Sequence, residues 1–241
     1  MNLNSKKICI TGTSSGIGYA MAKKLYQANN QIIAVSRNVS GLCEEFPQWH
    51  VYSCDLANSE QVENLCIALA KEHPDLDVLV NNAGVQKEID LQQTYEWSQE
   101  LMRELFLNLH AAVQLTLGVL PILLAREEAK IINITSVLGY IPKNTVPLYS
   151  ASKSGLGIFS KCLQGQLTGS HVRVHEVIPP LVATPMNEHR IGNKMQVEEF
   201  VEKVVTGVER GKTSIQPGKA SLIMQIHRFF PSLARKVINS Q

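Results

Sequence analysis

The feature that most limits what this sequence can become is the order of its apolar residues: short apolar runs alternate with amphipathic segments from the N-terminus onward. That order is the signature of a parallel sheet wrapped by helices. Ile8-Cys9-Ile10 gives a first strand, Ile32 to Val35 a second, His50 to Ser53 a third and Val78-Leu79-Val80 a fourth. Ile131 to Thr135 gives a fifth and Val172 to Ile178 a sixth. Between them, Ile17, Met21 and Leu25 recur every four residues, and Val62, Leu65, Cys66 and Leu69 follow the i, i+3, i+4, i+7 spacing of a helix with one buried face. A long helix is predicted from about Tyr95 to Arg126, bent near its end by Pro121. Another begins near Pro147 and buries Leu156, Phe159, Leu163 and Leu167.

Right-handed crossovers make the two halves of such a sheet wind outward in opposite directions from a central switch point, and ligands bind at the carboxyl ends of the strands there. The expected fold is therefore α/β, a single-domain, three-layer α/β/α arrangement with a doubly wound parallel sheet of Rossmann type. The 241 residues are 44% hydrophobic and 18% charged, enough apolar surface for a fully covered sheet. With no repeat or Gly/Ser linker in view, one domain is expected over 1–241, with a core at 6–216 and a tail at 217–241. The tail differs in character. After Glu209 there is no acidic residue, while Arg210, Lys212, Lys219, Arg228, Arg235 and Lys236 are basic, and Leu222, Ile226, Phe229, Phe230, Leu233 and Val237 repeat at helical spacing. It reads as a basic amphipathic helical appendage.

Several function classes drop out. A net charge of +2 gives no basis for nucleic-acid binding. Cys9, Cys43, Cys54, Cys66 and Cys162 are odd in number and form neither a Cys-x-x-Cys pair nor a metal spacing, so they read as reduced thiols. His171 and His175 lie in a predicted strand without a carboxylate cluster, and no metal is expected. Gly211-Lys212-Thr213 resembles the end of a phosphate-binding loop, but Thr206 stands where its first glycine belongs. No export signal or membrane span is read, so the cytoplasm is the expected location and Asn38 and Asn133 are not glycosylation sites.

Thr11-Gly12-Thr13-Ser14-Ser15-Gly16-Ile17-Gly18 sits where the first strand turns into the first helix. Glycines there let the backbone approach phosphates, and the helix N-terminus favours negative charge, so the segment suits a dinucleotide pyrophosphate. Tyr149 and Lys153 are four residues apart on one helix face. An ammonium beside a phenol favours phenolate and lowers its pKa, making tyrosine usable as an acid/base. Ser136, at the end of a neighbouring strand, is placed to hold a substrate oxygen while Tyr149 moves its proton.

In content and order, the glycine segment, Asn81-Asn82-Ala83-Gly84, Ser136 and Tyr149-Ser150-Ala151-Ser152-Lys153 resemble the short-chain dehydrogenase/reductase family, over about residues 6–210. The resemblance implies hydride transfer between a nicotinamide and a small-molecule carbonyl or alcohol. It implies catalytic roles for Asn108, Ser136, Tyr149 and Lys153, with Lys153 also on the nicotinamide ribose and Asn108 anchoring a water that leads from Lys153 to solvent. Cofactor contacts are implied for Gly12, Ser14, Ser15, Gly16, Ile17, Gly18, Asp55, Leu56, Asn82, Ala83, Gly84, Val182 and Thr184. It also implies a homodimer or homotetramer built on the helices that carry Asn108 and Tyr149. At the end of the second strand, Ser36-Arg37 replaces the acidic residue that NAD enzymes place there, and Arg37 offers a bidentate cation to a 2′-phosphate; NADP(H) is the expected cofactor.

Two departures stand out. Pro179-Pro180 replaces the family's Pro-Gly, which stiffens the loop under the nicotinamide and removes a backbone donor, and the Gly-Gly-containing final strand is absent, replaced by the basic helix. Both features resemble a subgroup of bacterial short-chain oxidoreductases linked to D-alanylation of lipoteichoic acid. Residues 185–196, with Met186 and Met195, are expected to form a lid. Two rival functions remain open at this level: a non-catalytic NADP(H)-binding regulator, and a reductase docked on an anionic membrane by its tail.

Overall fold

The computed structural model of the chain describes residues 2–92 and 99–239. In β1 (Lys7–Thr11), Ile8 and Ile10 enter one apolar layer and Cys9 the other. β2 (Gln31–Ser36) divides likewise, Ile32 and Ala34 to the first layer and Ile33 and Val35 to the second. Strand side chains alternate, so a run apolar at every position demands cover on both faces. The first layer is closed by α1 (Gly16–Tyr26) and α7 (Val197–Glu209) through Met21, Leu25, Phe200, Val204 and Val208. The second is closed by α3 (Ser59–Glu72), α5 (Ala111–Leu124) and α6 (Pro147–Gln166) through Leu65, Leu69, Leu115, Val119 and Leu163.

The remaining strands are β3 (His50–Ser53), β4 (Val78–Asn81), β5 (Ala129–Ile134), β6 (Val172–Val177) and β7 (Ser214–Ile215), and the sheet order is β3-β2-β1-β4-β5-β6-β7, every pairing parallel. The chain winds outward to β3, returns beside β1 as β4, and winds outward again to β7. The switch point thus lies between β1 and β4, as the alternation implied. A short α2 (Ser40–Glu45) connects β2 to β3.

Three expectations need correction. The long helix is not regular: α4 (Gln99–Leu105) passes through a single π turn, Phe106–His110, into α5, which ends three residues beyond Pro121. Positions 95–98 of the expected helix lie outside the described residues. A π turn widens the helix by one residue, and such turns gather at functional sites; this one holds Asn108, which is buried. A seventh strand exists despite the missing Gly-Gly, because two residues suffice for Ser214 and Ile215 to pair with Glu176 and Val177. The continuous run Met102–Leu124 is long and apolar enough, by length and composition, to cross a membrane; in this fold it is the helix whose Leu115, Val119 and Leu123 face the sheet.

The third correction concerns the tail. It is two helices, α8 (Lys219–Phe229) and α9 (Pro231–Asn239), split where Pro231 cannot continue one helix but can begin another. Its buried side is Ala220, Ala234 and Ile238, packed on Val137, Ile141 and Ile178. Of the stripe read from the sequence only Ile226 packs against this cluster; the rest points outward, with Phe229 and Phe230 exposed at 69% and 64%. Asn239 ties α9 down by donating to the Pro142 carbonyl (3.1 Å) and accepting from the Asn144 N–H (2.8 Å). Of the tail as first drawn, residues 240 and 241 lie outside the described residues.

α3 and α5 meet at Gly118, where a Cβ would lie 2.3 Å from Cys66 Sγ and 2.8 Å from its Cβ. Gly118→Ala is expected to destabilise the fold by about 1–2 kcal/mol, since overpacking outweighs alanine's helix preference. Adding Cys66→Ala should recover part of the loss. Urea midpoints of the four proteins measure this, and losses that simply add would contradict the contact.

Candidate active site

At the switch point the loops after β1 and β4 leave in opposite directions and touch. Thr11 Oγ1 accepts hydrogen bonds from the N–H groups of Asn82 (3.0 Å) and Ala83 (3.1 Å), and Asn82 Nδ2 donates back to the Thr11 carbonyl (2.8 Å). The approach leaves no room for side chains. A Cβ on Gly12 would lie 2.9 Å from Ala83 Cα, and one on Gly18 would lie 2.2 Å from the Gly12 carbonyl oxygen. Gly12 and Gly16 also adopt φ of +73° and +60°, the left-handed region that favours glycine. α1 then begins with Ser15 as N-cap, but the Ser15 side chain makes no capping bond. The helix therefore presents its first-turn N–H groups and positive dipole end to the space in front of it.

That space is a cleft of about 370 Å³. Gly12, Ser14, Ser15, Gly16, Ile17, Ser36, Arg37, Asp55, Leu56, Asn82, Ala83, Gly84, Ser136, Tyr149, Lys153, Val182 and Thr184 all line it. Two members of the sequence-derived set stand behind the wall: Gly18 forms the crossing with Gly12, and Asn108 lies under Lys153 and Gly84. The shape and donors fit a dinucleotide, since the side chains that would fill the cradle are missing and an uncapped helix end faces it.

At one end, Arg37 is exposed on the rim. Asp55 below it is not a free carboxylate: Arg103 Nη2 donates to both its oxygens at 2.7 Å, and the Ala57 N–H donates to Oδ1 at 3.1 Å. Burial pushes Asp55 upward, but the Arg103 and Ala57 hydrogen bonds and the nearby charge of Arg37 outweigh it and hold the carboxyl below its ordinary value. Arg103 was not recognised in the sequence.

At the other end Ser136 stands two residues past β5 and caps the short turn Val137–Gly139, its Oγ fixed by accepting the Leu138 N–H (3.1 Å). Beneath it, Asn81 Nδ2 donates to Asn133 Oδ1 (2.8 Å) and Asn133 Nδ2 to Ser160 Oγ (2.8 Å), a buried polar ladder joining β4, β5 and α6. Tyr149 and Lys153 project from the first turns of α6, and Lys153 Nζ donates to the Ile134 carbonyl (2.8 Å). Asn108 accepts the Val85 N–H and donates to the Val85 carbonyl, both at 2.8 Å, and donates to Ser152 Oγ at 3.2 Å. A Cβ on Gly84 would sit 3.3 Å from Asn108 Oδ1 and 3.4 Å from Lys153 Nζ, so glycine is what lets both reach that point.

The electrostatics differ from the simple ammonium-beside-phenol argument. Burial raises the Tyr149 phenol, Ser136 and Arg190 pull it down, and Glu104 pushes it up; the net direction is upward. Lys153 is not what lowers it. Its Nζ lies 5.9 Å from the ring centre and is committed to the Ile134 carbonyl, while burial brings the ammonium down to about 8.

Glu104 is the second residue that sequence reading missed. It is 1% exposed, and neither carboxylate oxygen has a hydrogen-bond partner among the described residues. The Lys87 backbone N–H and side-chain charge act on it. Burial pushes its carboxyl up to about 7, with Lys87 and Lys153 pulling the other way. An acid four places before Asn108 was the available signal.

Leu138, Leu181, Met186, Ile223 and Ile238, the last two from the tail, also line the cleft, as do Arg190 and Lys143. The segment expected to form a lid is tied down at its ends: Ala183 N–H bonds the Met195 carbonyl and Met195 N–H the Leu181 carbonyl, each at 2.9 Å. Among the described residues no group of three His, Cys, Asp or Glu is placed to hold a metal, and His175 is buried against the Lys212 carbonyl at 2.7 Å.

This architecture matches known proteins. Residues 6–194 match the family described as short chain dehydrogenase. The chain is 36% identical over 224 residues to the oxidoreductase DltE of Bacillus subtilis, covering 89% of each chain. Among solved structures it is similar to a short chain dehydrogenase of Burkholderia cenocepacia in complex with NADP, with TM-score 0.88, 22% identity and 99% of each chain covered. It is also similar to one of Burkholderia phymatum in complex with NAD, with TM-score 0.83, 19% identity and 98% and 97% covered.

The buried carboxyl makes a testable demand. A carboxyl raised on folding from 4.5 to about 7 contributes stability that is full below 4.5 and lost as pH rises through 7. Glu104→Gln is therefore expected to raise the thermal midpoint by a few degrees at pH 8.5, at about 2–4 °C per kcal/mol, and to change it little at pH 4.5. Calorimetry at the two pH values checks this; equal shifts would contradict it.

Proposed function

The chain belongs to the short-chain dehydrogenase family, and from that membership we propose that it reduces a carbonyl, or oxidises the corresponding alcohol, with NADP(H), using Tyr149 as acid/base. The observation that carries the reading is the convergence of Ser136, Tyr149 and Lys153 on the cleft that the glycine cradle opens. The N-terminus of α1 with Ser14, Ser15, Gly16 and Ile17 would hold the pyrophosphate, and Ser36 and Arg37 a 2′-phosphate. Asp55 and Leu56 would meet the adenine, Asn82, Ala83 and Gly84 the ribose side, and Val182 and Thr184 the carboxamide. When bound, the nicotinamide supplies or accepts the hydride.

The chain's own residues supply the rest. Ser136 Oγ, fixed through Leu138, donates a hydrogen bond to the carbonyl oxygen. As charge gathers on that oxygen, Tyr149 passes it a proton, so that hydride on carbon and proton on oxygen complete the alcohol. Lys153, held by the Ile134 carbonyl and brought to about 8, can return a proton toward the phenol, with Asn108 and Glu104 behind it. Oxidation runs the same transfers backward. The pairing of Asp55 with Arg103 supports NADP(H), since two arginines, Arg37 and Arg103, offset the carboxylate that would otherwise repel a 2′-phosphate. We place the protein in the cytosol as a homodimer or homotetramer built on the helices of Asn108 and Tyr149, with 6–216 as the catalytic body and 217–241 as its tail.

Tyr149→Phe is expected to cut turnover by at least about 10²-fold while leaving NADPH affinity nearly intact. Steady-state rates and fluorescence titration check both, and a mutant as fast as its parent would remove Tyr149 from the chemistry. Arg37→Asp is expected to weaken NADPH by roughly 10–100-fold through loss of a charge-assisted contact, and NADH far less. An unchanged ratio of the two dissociation constants would contradict the NADP(H) reading.

A further inference from the structure

The substrate end of the cleft carries positive charge that carbonyl chemistry does not use. Arg190 follows the lid turn Pro185–Asn187, and its Nη2 donates to Gln86 Oε1 at 2.7 Å. Gln86 leaves from the loop after β4, so this bond spans the cleft between segments 104 positions apart. Arg190 Nε and Gln86 Nε2 are both buried and have no acceptor among the described residues. Buried donors left unpaired are costly, and two of them on residues that bond each other in the cleft wall leave that place poised to receive an acceptor.

The surrounding charges favour an anion. Arg190 and Tyr149 line the same cleft, and the guanidinium acts electrostatically on the phenol. Lys143 lines the same cleft. Glu104 also acts on Tyr149, but it is buried behind Lys153 and outside the cleft lining. Asp55, the carboxylate of that lining, is at the far end and gripped by Arg103. The walls around Arg190 are apolar, which strengthens any ion pair formed there.

Resting on the reductase reading, we propose that the substrate is an oxo acid: a carbonyl compound with an apolar chain and a carboxylate close to the reacting carbon, received by Arg190. A guanidinium presents planar, paired donors that match the two oxygens of a carboxylate. Gln86 is a positioning residue that holds the guanidinium across the cleft.

The test pairs 2-oxohexanoate and 4-oxohexanoate with their methyl esters as NADPH-dependent substrates, alongside calorimetric titration of 2-hydroxyhexanoate and 4-hydroxyhexanoate into the NADP⁺-saturated protein. The parent should favour at least one acid over its ester by about tenfold or more in kcat/KM. Arg190→Leu should bring that ratio near one, chiefly through KM, and abolish the calorimetric signal, while Arg190→Lys restores part of both. NADPH affinity of Arg190→Leu should stay within about threefold of the parent. An ester preferred to its acid, a ratio untouched by Arg190→Leu, or no hydroxy acid binding to the NADP⁺ complex would overturn the proposal and leave the reductase reading standing. A matching loss of NADPH affinity in Arg190→Leu would also overturn it, by giving the guanidinium to the cofactor phosphates. Failure of the parent to bind NADP(H) at all would instead remove the reductase reading, and the oxo-acid proposal with it.

Discussion

The whole site depends on how closely two pieces of backbone approach at the carboxyl ends of β1 and β4. Thr11 and Asn82 lace the two loops together, and the crossing of Gly12 with Gly18 leaves a gap that no side chain could share. The sheet order makes β1 and β4 neighbours while their connections run opposite ways, so the cleft follows from topology and its floor from glycine. An uncapped helix start then gives that floor a positive electrostatic sign. Nothing on the catalytic side would face a dinucleotide without this arrangement.

The proposed catalytic side is shaped by burial as much as by charge. Lys153, Glu104 and Tyr149 share a poorly solvated region, and each is displaced toward its neutral form. Lys153 and Glu104 act on each other electrostatically, and burial draws both toward neutrality, the condition the proposed proton transfer at Tyr149 needs. The π turn at Phe106–His110 belongs to the same device, because it carries Asn108, which clamps the Val85 backbone under Gly84.

Much of this was legible in the sequence. Six strands and the helices of Ile17, Leu65 and Leu156 follow from periodicity alone, since continuous burial and one-sided burial leave different patterns. The ordered motifs located the residues of the cleft. What escaped them is set by tertiary contact. The two-residue β7 has no apolar run to announce it. The tail's most conspicuous apolar residues face outward because the body recruits the smaller Ala220 and Ala234 at close packing points. The direction of the Tyr149 shift was misjudged, since helical spacing places Lys153 on the same face but cannot show its ammonium turning to Ile134. Arg103, Glu104 and Arg190 lie outside the motifs and gain meaning only when the fold brings them to Asp55, Lys153 and Gln86.

The central claim is that this cradle lays a nicotinamide beside the hydroxyl of residue 149. A crystal structure of the chain with NADP⁺ tests it most directly. The account predicts the pyrophosphate over the first turn of α1 and the nicotinamide C4 on the Tyr149 side of the cleft, with room for a substrate carbon about 3–3.5 Å away. A dinucleotide bound elsewhere, or a nicotinamide turned away from Tyr149 and Ser136, would contradict it.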